Sequence, residues 1–330
     1  RHLPWRATKD PYKIWLSEII LQQTRIEQGL PYYVKFITAY PTVFHLADAA
    51  DEEVLKLWQG LGYYNRARHL HVTAKYVAGT LQGIFPKTYK ELLTLKGVGD
   101  YTASAIASIC YDEAAAVVDG NVYRVLSRYF GVETPINSGK GITYFKALAK
   151  ELIQGQEPSV YNQAIMEFGA IQCKPKAPKC TICPLNTTCM ALKKNKVAEL
   201  PVKLDKRKTK KRFFNYLVVT DGVNILLEKR TAKDIWRDLY EFPLIETSEA
   251  VEENAITQHV IFKTLLKDHT FEIMLYNRET IVHKLSHQHI HTKFWMVNTA
   301  DKIKNGKTIS TLKNYPVPVL IANFVEKYNF

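Results

Sequence analysis

Four of the five cysteines in this chain lie close together, and their spacing constrains the fold more than any other feature. They are Cys173, Cys180, Cys183 and Cys189, separated by six, two and five residues. Only Cys110 lies elsewhere. Such a group in a long chain indicates one shared ligand, because a disulfide framework would spread its cysteines along a small domain. Zinc and an iron–sulfur cluster both accept four thiolates, so the residue type alone leaves both open.

A glycine-containing turn separates two segments with helical periodicity. Residues 91–95 and 101–111 place apolar side chains at helical spacing, and Gly97-Val98-Gly99 lies between them. The glycines can adopt positive φ and approach another backbone closely. The N–H groups at the start of the following helix suit a phosphate. On spacing alone, an ordinary helix–helix corner fits this pattern as well as an anion site does.

An aspartate follows this turn. The apolar run 114–118 ends in Asp119-Gly120-Asn121, after which helical spacing restarts at Val122. An aspartate in this position is typical of an N-cap, and the pattern alone predicts nothing more for it.

One carboxylate interrupts the apolar face of the first predicted helix. Asp10-Pro11 is typical of an N-cap and first helical residue, and the periodicity predicts a helix through Thr24. Within it, Glu18 has mainly apolar neighbours one turn away. At such a position the ionised carboxylate would lose its hydration. This loss raises the pKa of Glu18 and makes it a better proton donor near neutrality. The alternative is a glutamate at the edge of the core that reaches solvent or an arginine.

The periodicity changes along the chain. Further helices are predicted over 30–40, 43–49, 51–59, 66–80, 89–95, 142–154 and 159–171. The basic stretch 201–212 has no apolar period and is typical of a linker. Runs of β-forming residues then cover 213–220, 223–227, 271–276 and 289–297. The fold class is therefore a mostly α region followed by a C-terminal α+β domain.

Composition limits the class of partner. The 330 residues suffice for two domains, and no run of 18 apolar residues predicts a membrane span. The net charge of +13 points to a polyanionic partner such as nucleic acid.

Taken together, these motifs resemble the endonuclease III superfamily of DNA base-excision glycosylases. LKGVGDYTASAI and VVDGNVYRV are similar to its helix-hairpin-helix and Gly/Pro/Asp motifs. The resemblance implies that Gly97, Val98 and Gly99 bind a DNA phosphate and that Asp119 is catalytic. In this superfamily a lysine after the hairpin gives a Schiff-base lyase. This chain has Tyr101, which resembles the adenine glycosylase branch, the MutY family.

The resemblance extends to the first helix and the base pocket. WLSEIILQQT is similar to the adenine glycosylase stretch that bears the catalytic glutamate, which implies that Glu18 is the general acid. Tyr101 and Asn121 would hold the aspartate and the sugar. Arg6 and Gln163 would lie near the adenine.

Two residues are expected to reach the DNA beside the extruded base. They are Gln23, at the end of the first helix, and Tyr63 of the GLGYY segment. Aromatic residues beside glycine can wedge into a base stack, although paired tyrosines also occur as half-buried packing residues.

The cysteine spacing C-x6-C-x2-C-x5-C matches the [4Fe–4S] signature of the same superfamily. The resemblance therefore implies a [4Fe–4S] cluster bound by the four cysteines, with a structural role. Lys174, Lys176 and Lys179 place positive charge on the cluster loop, so this loop is expected to face phosphate.

The C-terminal part resembles the Nudix-like domain of adenine glycosylases. The stretches that carry this resemblance are EKRTAKDIWRDLYEFP and HKLSHQHIH. TSEAVEENAITQHV lacks the R-E-x-x-E-E metal-binding group, so recognition is predicted instead of hydrolysis. A Phe-Ser-His-like loop of the family recognises 8-oxoguanine, and Leu285, Ser286 and His287 match it, with leucine in place of phenylalanine. The alternating histidines nearby are expected on a surface strand, because no cysteine or carboxylate supports a zinc site.

The resemblance implies the following organisation and activity. A catalytic region spans 1–200, with a six-helix bundle over about 26–130, a cluster domain from 1–25 and 131–200, and the cluster loop 173–189. The linker covers 201–212 and a Nudix-like lesion-recognition domain covers 213–330. The expected partner is double-stranded DNA with an 8-oxoguanine:adenine mispair, bound by a monomer in the bacterial cytoplasm, or in the nucleus or mitochondrion of a eukaryote.

The expected enzyme is a monofunctional adenine glycosylase with weak or no lyase activity, which acts more weakly on adenine opposite guanine. A thymine glycosylase for G:T mismatches is the enzymatic alternative. A non-catalytic lesion-binding protein is the alternative from another class.

Overall fold

The chain forms two units in the computed structural model, which describes residues 3–205, 209–267, 269–328 and 330. The first unit comprises Arg1–Ala49 and Asn65–Asp205, and the second comprises Ala50–Tyr64 and Lys206–Phe330. Of the predicted linker, residues 206–208 lie outside the described residues. The short segment Ala50–Tyr64 therefore packs with the C-terminal part of the chain, although both of its sequence neighbours belong to the first unit.

Helices make up the first unit. The α-helices up to residue 200 are α1 (Pro11–Leu21), α2 (Ile26–Ala39), α3 (Val43–Asp48), α4 (Asp51–Leu57), α5 (Asn65–Gly79), α6 (Tyr89–Leu92), α7 (Asp100–Tyr111), α8 (Gly120–Phe130), α9 (Gly139–Leu152), α10 (Pro158–Ile171) and α11 (Met190–Lys193). Of these, α4 belongs to the second unit. Short 3₁₀ helices cover Pro4–Ala7 and Cys180–Ile182.

Helix α1 lies in the core of the first unit. Asp10 caps it, since its Oδ1 accepts the Tyr12 N–H at 2.9 Å, as the sequence predicts. Most of its residues are buried, and it packs against α2, α5 and α7. The predicted helix through Thr24 is too long, because the helix ends at Leu21 and Gln23 adopts a left-handed φ of 54°.

Helix α8 links the aspartate turn to a small apolar core. Its Val122 and Leu126 pack with Phe145 and Ala149 of α9. Apolar burial of this kind holds the first turn of α8, and therefore its N-cap residue Asp119, in one place.

The second unit contains a mixed sheet. Its strands are β1 (Lys210–Thr220), β2 (Asn224–Ile225), β3 (Glu228–Lys229), β4 (Tyr240–Glu241), β5 (Leu244–Thr247), β6 (Phe271–Leu275), β7 (Ile281–Lys284), β8 (Gln288–Thr299) and β9 (Lys307–Thr308). The larger sheet runs β6-β8-β1-β2-β9, with β5 also paired to β1 and β7 to β8. Strands β3 and β4 form a separate pair.

The long strands β1 and β8 are parallel neighbours, with Phe213 opposite His291 and Leu217 opposite Trp295. Strand β1 starts three residues before the predicted run at 213. The histidine-bearing strand β8 is an interior strand, not the surface strand expected from its alternation. It lies between β1 on one side and both β6 and β7 on the other, so most of its side chains are buried.

Three helices complete the second unit beside α4. They are α12 (Glu253–Gln258), α13 (Val260–Leu265) and α14 (Val319–Tyr328), with a 3₁₀ helix at Ile309–Asn314. Ile256 and Phe262 pack on the sheet together with Leu217 and Trp295. No helix of the described ranges is long and apolar enough to cross a membrane.

Candidate active site

Glu18 is a buried carboxyl group in the middle of α1. Its side chain is 7% exposed, and its Oε2 atom has no hydrogen-bond partner among the described residues. Burial raises the pKa of Glu18 to about 7; the hydrogen bond with Tyr101 opposes this shift and the charge of Asp119 adds to it. The carboxyl group is therefore protonated for a substantial fraction of the time near neutrality. A buried oxygen without a partner is also free to meet a polar atom of a substrate.

Asp119 is the second carboxylate of the site, and its surroundings differ from those of Glu18. As the N-cap of α8, its Oδ1 accepts the N–H groups of Asn121 at 2.9 Å and Val122 at 2.8 Å. Its Oδ2 accepts the side-chain amide of Asn121 at 2.7 Å. Burial raises the pKa of Asp119, while these hydrogen bonds oppose the shift. Donors and a helix N-terminus surround Asp119, so it is the better-stabilised anion of the two.

Tyr101 lies close to both carboxyl groups. Its side chain hydrogen-bonds to Glu18, and its hydroxyl also lies 3.8 Å from Met166 Sδ. Burial first, and then the negative charges of Glu18 and Asp119, hold the pKa of Tyr101 well above its usual range. The hydroxyl is therefore a neutral donor, and it occupies the position in α7 where a lysine would supply an amine nucleophile.

Asn121 is held by an arginine that the sequence pattern did not single out. Arg124 Nη2 donates to Asn121 Oδ1 at 2.8 Å and to the Gly169 carbonyl at 2.6 Å. Its Nε donates to the Cys173 carbonyl at 2.7 Å. Because the Asn121 oxygen is bound to Arg124, its amide nitrogen is aimed at Asp119. A buried arginine one turn into α8 thus connects Asp119 to the first cysteine of the cluster loop.

The two residues predicted near the adenine lie on different elements. Arg6, in the 3₁₀ helix Pro4–Ala7, pairs with Glu167 of α10 at 2.7 Å. Gln163 lies one turn before Glu167 on the same helix, and its amide donates to Ser159 at 3.1 Å. The structure thus adds Glu167, which the sequence analysis missed because nothing in its spacing marks it.

The glycine turn has positive φ at Gly97 and an extended backbone at Gly99. Gly97 has φ 79°, and a Cβ there would lie 2.6 Å from the Cβ of His69. Both the backbone conformation and the lack of space therefore disfavour a side chain at this position. Val98 is buried. Gly99 is the N-cap of α7, and nothing lies within 4 Å of where its Cβ would be. The N-terminus of α7 is therefore open to an anion.

Both residues expected to reach DNA have left-handed backbones. Gln23 has φ 54° and Tyr63 has φ 49°. Non-glycine residues rarely adopt this conformation, and it recurs at functional sites. Gln23 is exposed in the first unit, and Tyr63 is 46% exposed in the second.

The four cysteines line one pocket of the first unit. Cys173, Cys180, Cys183 and Cys189 share it with apolar side chains from α8, α10 and α11. Burial, and then the neighbouring thiols, raise the pKa of Cys180. Within the described ranges, no group of three or more histidine, cysteine, aspartate or glutamate residues can hold a metal ion. A [4Fe–4S] cluster binds each cysteine through a different iron, so it needs a wider set of thiolates than a single ion does.

Arg128, one turn after Arg124, fixes the start of the cluster loop. It donates to the carbonyls of Lys174 at 2.7 Å and Pro175 at 3.1 Å, and its Nη1 lies 3.5 Å from Cys173 Sγ. The three lysines predicted to face phosphate, Lys174, Lys176 and Lys179, are all exposed.

In the second unit, the predicted lesion loop is the turn between β7 and β8. Leu285 donates its N–H to the Gln288 carbonyl at 2.8 Å and is partly buried. Ser286 and His287 are exposed, with Ser286 Oγ 3.3 Å from His287 Nδ1. The loop therefore presents two polar side chains outward from a hairpin anchored in the sheet.

Comparison with known proteins identifies the family. The model of the HhH-GPD superfamily base excision DNA repair protein matches residues 16–151, and the NUDIX domain model matches 215–327. An adenine DNA glycosylase of Buchnera aphidicola subsp. Baizongia pistaciae (strain Bp) is 36% identical, and the match covers 99% of this chain and 93% of the relative. The chain belongs to the adenine DNA glycosylase family. An adenine DNA glycosylase of Homo sapiens is 42% identical over 58% of this chain and 37% of its own length.

Membership of the adenine DNA glycosylase family makes this chain a DNA N-glycosylase, and it confirms the predicted helical catalytic fold with a Nudix-like domain. A solved thermostable thymine-DNA glycosylase is also similar, with TM-score 0.54 and 34% identity over 59% of this chain and 89% of that one. A non-covalent endonuclease III–DNA complex matches with TM-score 0.51 and 24% identity over 56% of this chain and 86% of that one, which shows the shared fold.

Proposed function

We propose that this glycosylase excises adenine opposite 8-oxoguanine, and more weakly opposite guanine, from duplex DNA and leaves the strand intact. The observation that carries the proposal is a pair of carboxyl groups, Glu18, which is buried, and Asp119, which is half-buried. One has a pKa near 7 and an oxygen without a partner, and the other is held by three hydrogen bonds. Two carboxyl groups in such different surroundings can act as acid and anion in the same reaction.

The first step is protonation of the base. The N-glycosidic bond cannot be reached inside a duplex, so the adenine must be extruded into the protein. Glu18 would then donate its proton to N7 of the adenine, which makes the base a neutral leaving group. The Tyr101 hydroxyl, already bound to Glu18, would keep the carboxyl group oriented.

As the bond breaks, positive charge develops on the sugar. Asp119 would stabilise this charge electrostatically or through a transient covalent bond. Asn121 would hold the carboxylate in position, because its own amide is fixed by Arg124. Arg6 and Gln163 would contact the base, and Glu167 would orient Arg6 through their ion pair.

Water completes the reaction and leaves an abasic site. Tyr101 cannot form the Schiff base that a lysine at this position would form, so β-elimination of the strand is not expected. Products from an 8-oxoguanine:adenine duplex should therefore show free adenine and an uncut strand, which breaks only after alkali. Strand cleavage at the rate of base release would contradict the monofunctional assignment.

The pH dependence of adenine release should show the ionisation of Glu18, the proposed general acid. Glu18 has a raised pKa of about 7, so it is protonated below this value and ionised above it. The single-turnover rate constant is therefore expected to fall as pH rises through 7, by about tenfold per unit well above it. At low pH, protonation of Asp119 should reduce the rate as well. A rate that stays constant between pH 7 and pH 9 would rule out Glu18 as the acid.

We propose that the four cysteines hold a [4Fe–4S] cluster. The donor set fits, because four thiols line one largely apolar pocket and the guanidinium of Arg128 lies beside the first of them. Bound there, the cluster would cross-link the loop that follows α10 and hold its exposed lysines toward DNA phosphate. The reaction at Glu18 and Asp119 needs no group from the cluster.

The purified protein is expected to contain about four irons per chain and to be brown, with a broad absorption in the visible range. Cys183→Ala should lower the iron content and weaken duplex binding, whereas Cys110→Ala, outside the pocket, should leave both near normal. A colourless protein that contains zinc would contradict the cluster assignment.

Recognition of the opposite base is assigned to the turn between β7 and β8. The double variant Ser286→Ala and His287→Ala is expected to reduce the preference for 8-oxoguanine over guanine by about tenfold, because hydrogen bonds to an opposite base are worth about 1–3 kcal/mol each. Release of adenine opposite guanine should change little. Single-turnover rates on the two duplexes give the ratio, and Ser310→Ala is a matched control elsewhere in this unit. An unchanged ratio would show that the turn has another role.

A further inference from the structure

Arg66 reaches from the first turn of α5 to the C-terminal end of α1. Its Nη1 lies 3.1 Å from the carbonyl oxygen of Ile19 and 2.9 Å from that of Ile20, and it also contacts the Gln22 carbonyl. Both Nη atoms lie 3.3 Å from Thr24 Oγ1. One guanidinium group therefore contacts both the last turn of α1, the helix that carries Glu18, and the turn that follows this helix.

These contacts satisfy groups that the helix itself leaves unpaired. The last carbonyls of an α-helix have no partner within the helix, and a cation there also interacts favourably with the helix dipole. The planar fork of arginine can serve several acceptors at once, which a lysine ammonium cannot do in the same geometry.

The same turn is held from a second side. The side-chain amide of Gln22 donates to Thr102 Oγ1 at 3.0 Å. Thr102 is buried in α7, directly after Tyr101. Gln23 lies between the two anchored residues Gln22 and Thr24. Its backbone is left-handed, and the residue is exposed.

We propose that Arg66 is a positioning residue for base extrusion, acting through Gln23. It would hold Gln23 in its strained conformation before DNA binds, so that the side chain can enter the space vacated by the adenine. This inference rests on the proposed function, in which Gln23 contacts the DNA beside the extruded base. Pre-organisation of this kind speeds extrusion and leaves the bond-breaking groups unchanged.

A double-mutant cycle tests the coupling. Arg66→Lys keeps the charge and loses the fork, and it is expected to slow single-turnover release from the 8-oxoguanine:adenine duplex by about tenfold. Gln23→Ala should slow release by a similar factor. In the Gln23→Ala background, Arg66→Lys should cost less than about twofold, because residues that act through one another are not additive. Arg68→Lys, on the same helix, is the matched control and should stay near the unaltered rate.

A second substrate separates positioning from general stability. Adenine opposite an abasic-site analogue lacks a partner base and is easier to extrude, so Arg66→Lys should slow its release by less than about threefold. If Arg66→Lys does not fold, Thr24→Val can replace it, because of the Arg66 contacts this variant removes only the one with the Thr24 hydroxyl. Thr24→Val should show the same pattern with smaller effects. Additive effects in the cycle, or equal losses on both substrates, would overturn the proposal. If the unaltered protein releases no adenine from either duplex, the proposed function fails instead.

Discussion

Replacing Glu18 by glutamine is expected to slow adenine release by about 10³-fold or more, with duplex binding retained. Glutamine matches the shape of the buried side chain but has no acidic proton to give to the base. The carboxyl group has a pKa near 7 because it is buried among apolar neighbours, and the amide removes this donor without opening a cavity. Single-turnover release from an 8-oxoguanine:adenine duplex measures the loss, and a gel-shift assay measures binding.

The matched control is Glu27→Gln, which changes an exposed glutamate in the first turn of α2. Its release rate should stay within about twofold of the unaltered rate, since surface substitutions of this kind have small effects. The Glu18 variant should also lose the decline of the rate above pH 7. Release by Glu18→Gln at more than about one tenth of the unaltered rate would remove Glu18 from the mechanism.

Asp119→Asn is expected to slow release by a similar factor, on the order of 10³-fold, for a different reason. The asparagine keeps an oxygen that can accept from the N–H groups of Asn121 and Val122, so it still caps α8. It removes the negative charge that would stabilise the sugar cation. The variant should therefore fold and bind duplex DNA, with thermal unfolding within a few degrees of the unaltered protein.

Asp10→Asn makes the same chemical change at the N-cap of α1 and serves as the control. Both variants should have similar thermal stability, while only Asp119→Asn should lose activity. If Asp119→Asn retains release, or if both variants lose it equally, Asp119 is a structural cap and nothing more. That was the interpretation that its local sequence favoured.

Local sequence predicted the elements of this fold well, because their signals lie within a few residues of one another. The caps Asp10 and Asp119, the glycine turn at Gly97 and the switch to β-structure near Phe213 all follow from such signals. The end of α1 did not. No glycine or proline follows Leu21 before Gly29, so the local sequence marks no end for the helix, and it stops where contacts from α5 and α7 hold the next turn.

The site itself depends on contacts between residues far apart in the chain. Glu18 and Asp119 are 101 residues apart, and only the family resemblance paired them before the structure placed Tyr101 beside both. Arg124 and Glu167 were missed, because an arginine on an amphipathic helix or a glutamate on α10 resembles an ordinary surface residue. Their partners, Asn121 and Arg6, are set by the packing of helices and not by spacing.

The most direct test of the whole account is base release from three duplexes that differ only at the mispair. The unaltered protein is mixed in excess with DNA that carries adenine opposite 8-oxoguanine, adenine opposite guanine, or thymine opposite guanine. Adenine should be released fastest opposite 8-oxoguanine and more slowly opposite guanine, and thymine should remain attached. Release of thymine from the guanine mismatch, with both adenine duplexes intact, would contradict the account.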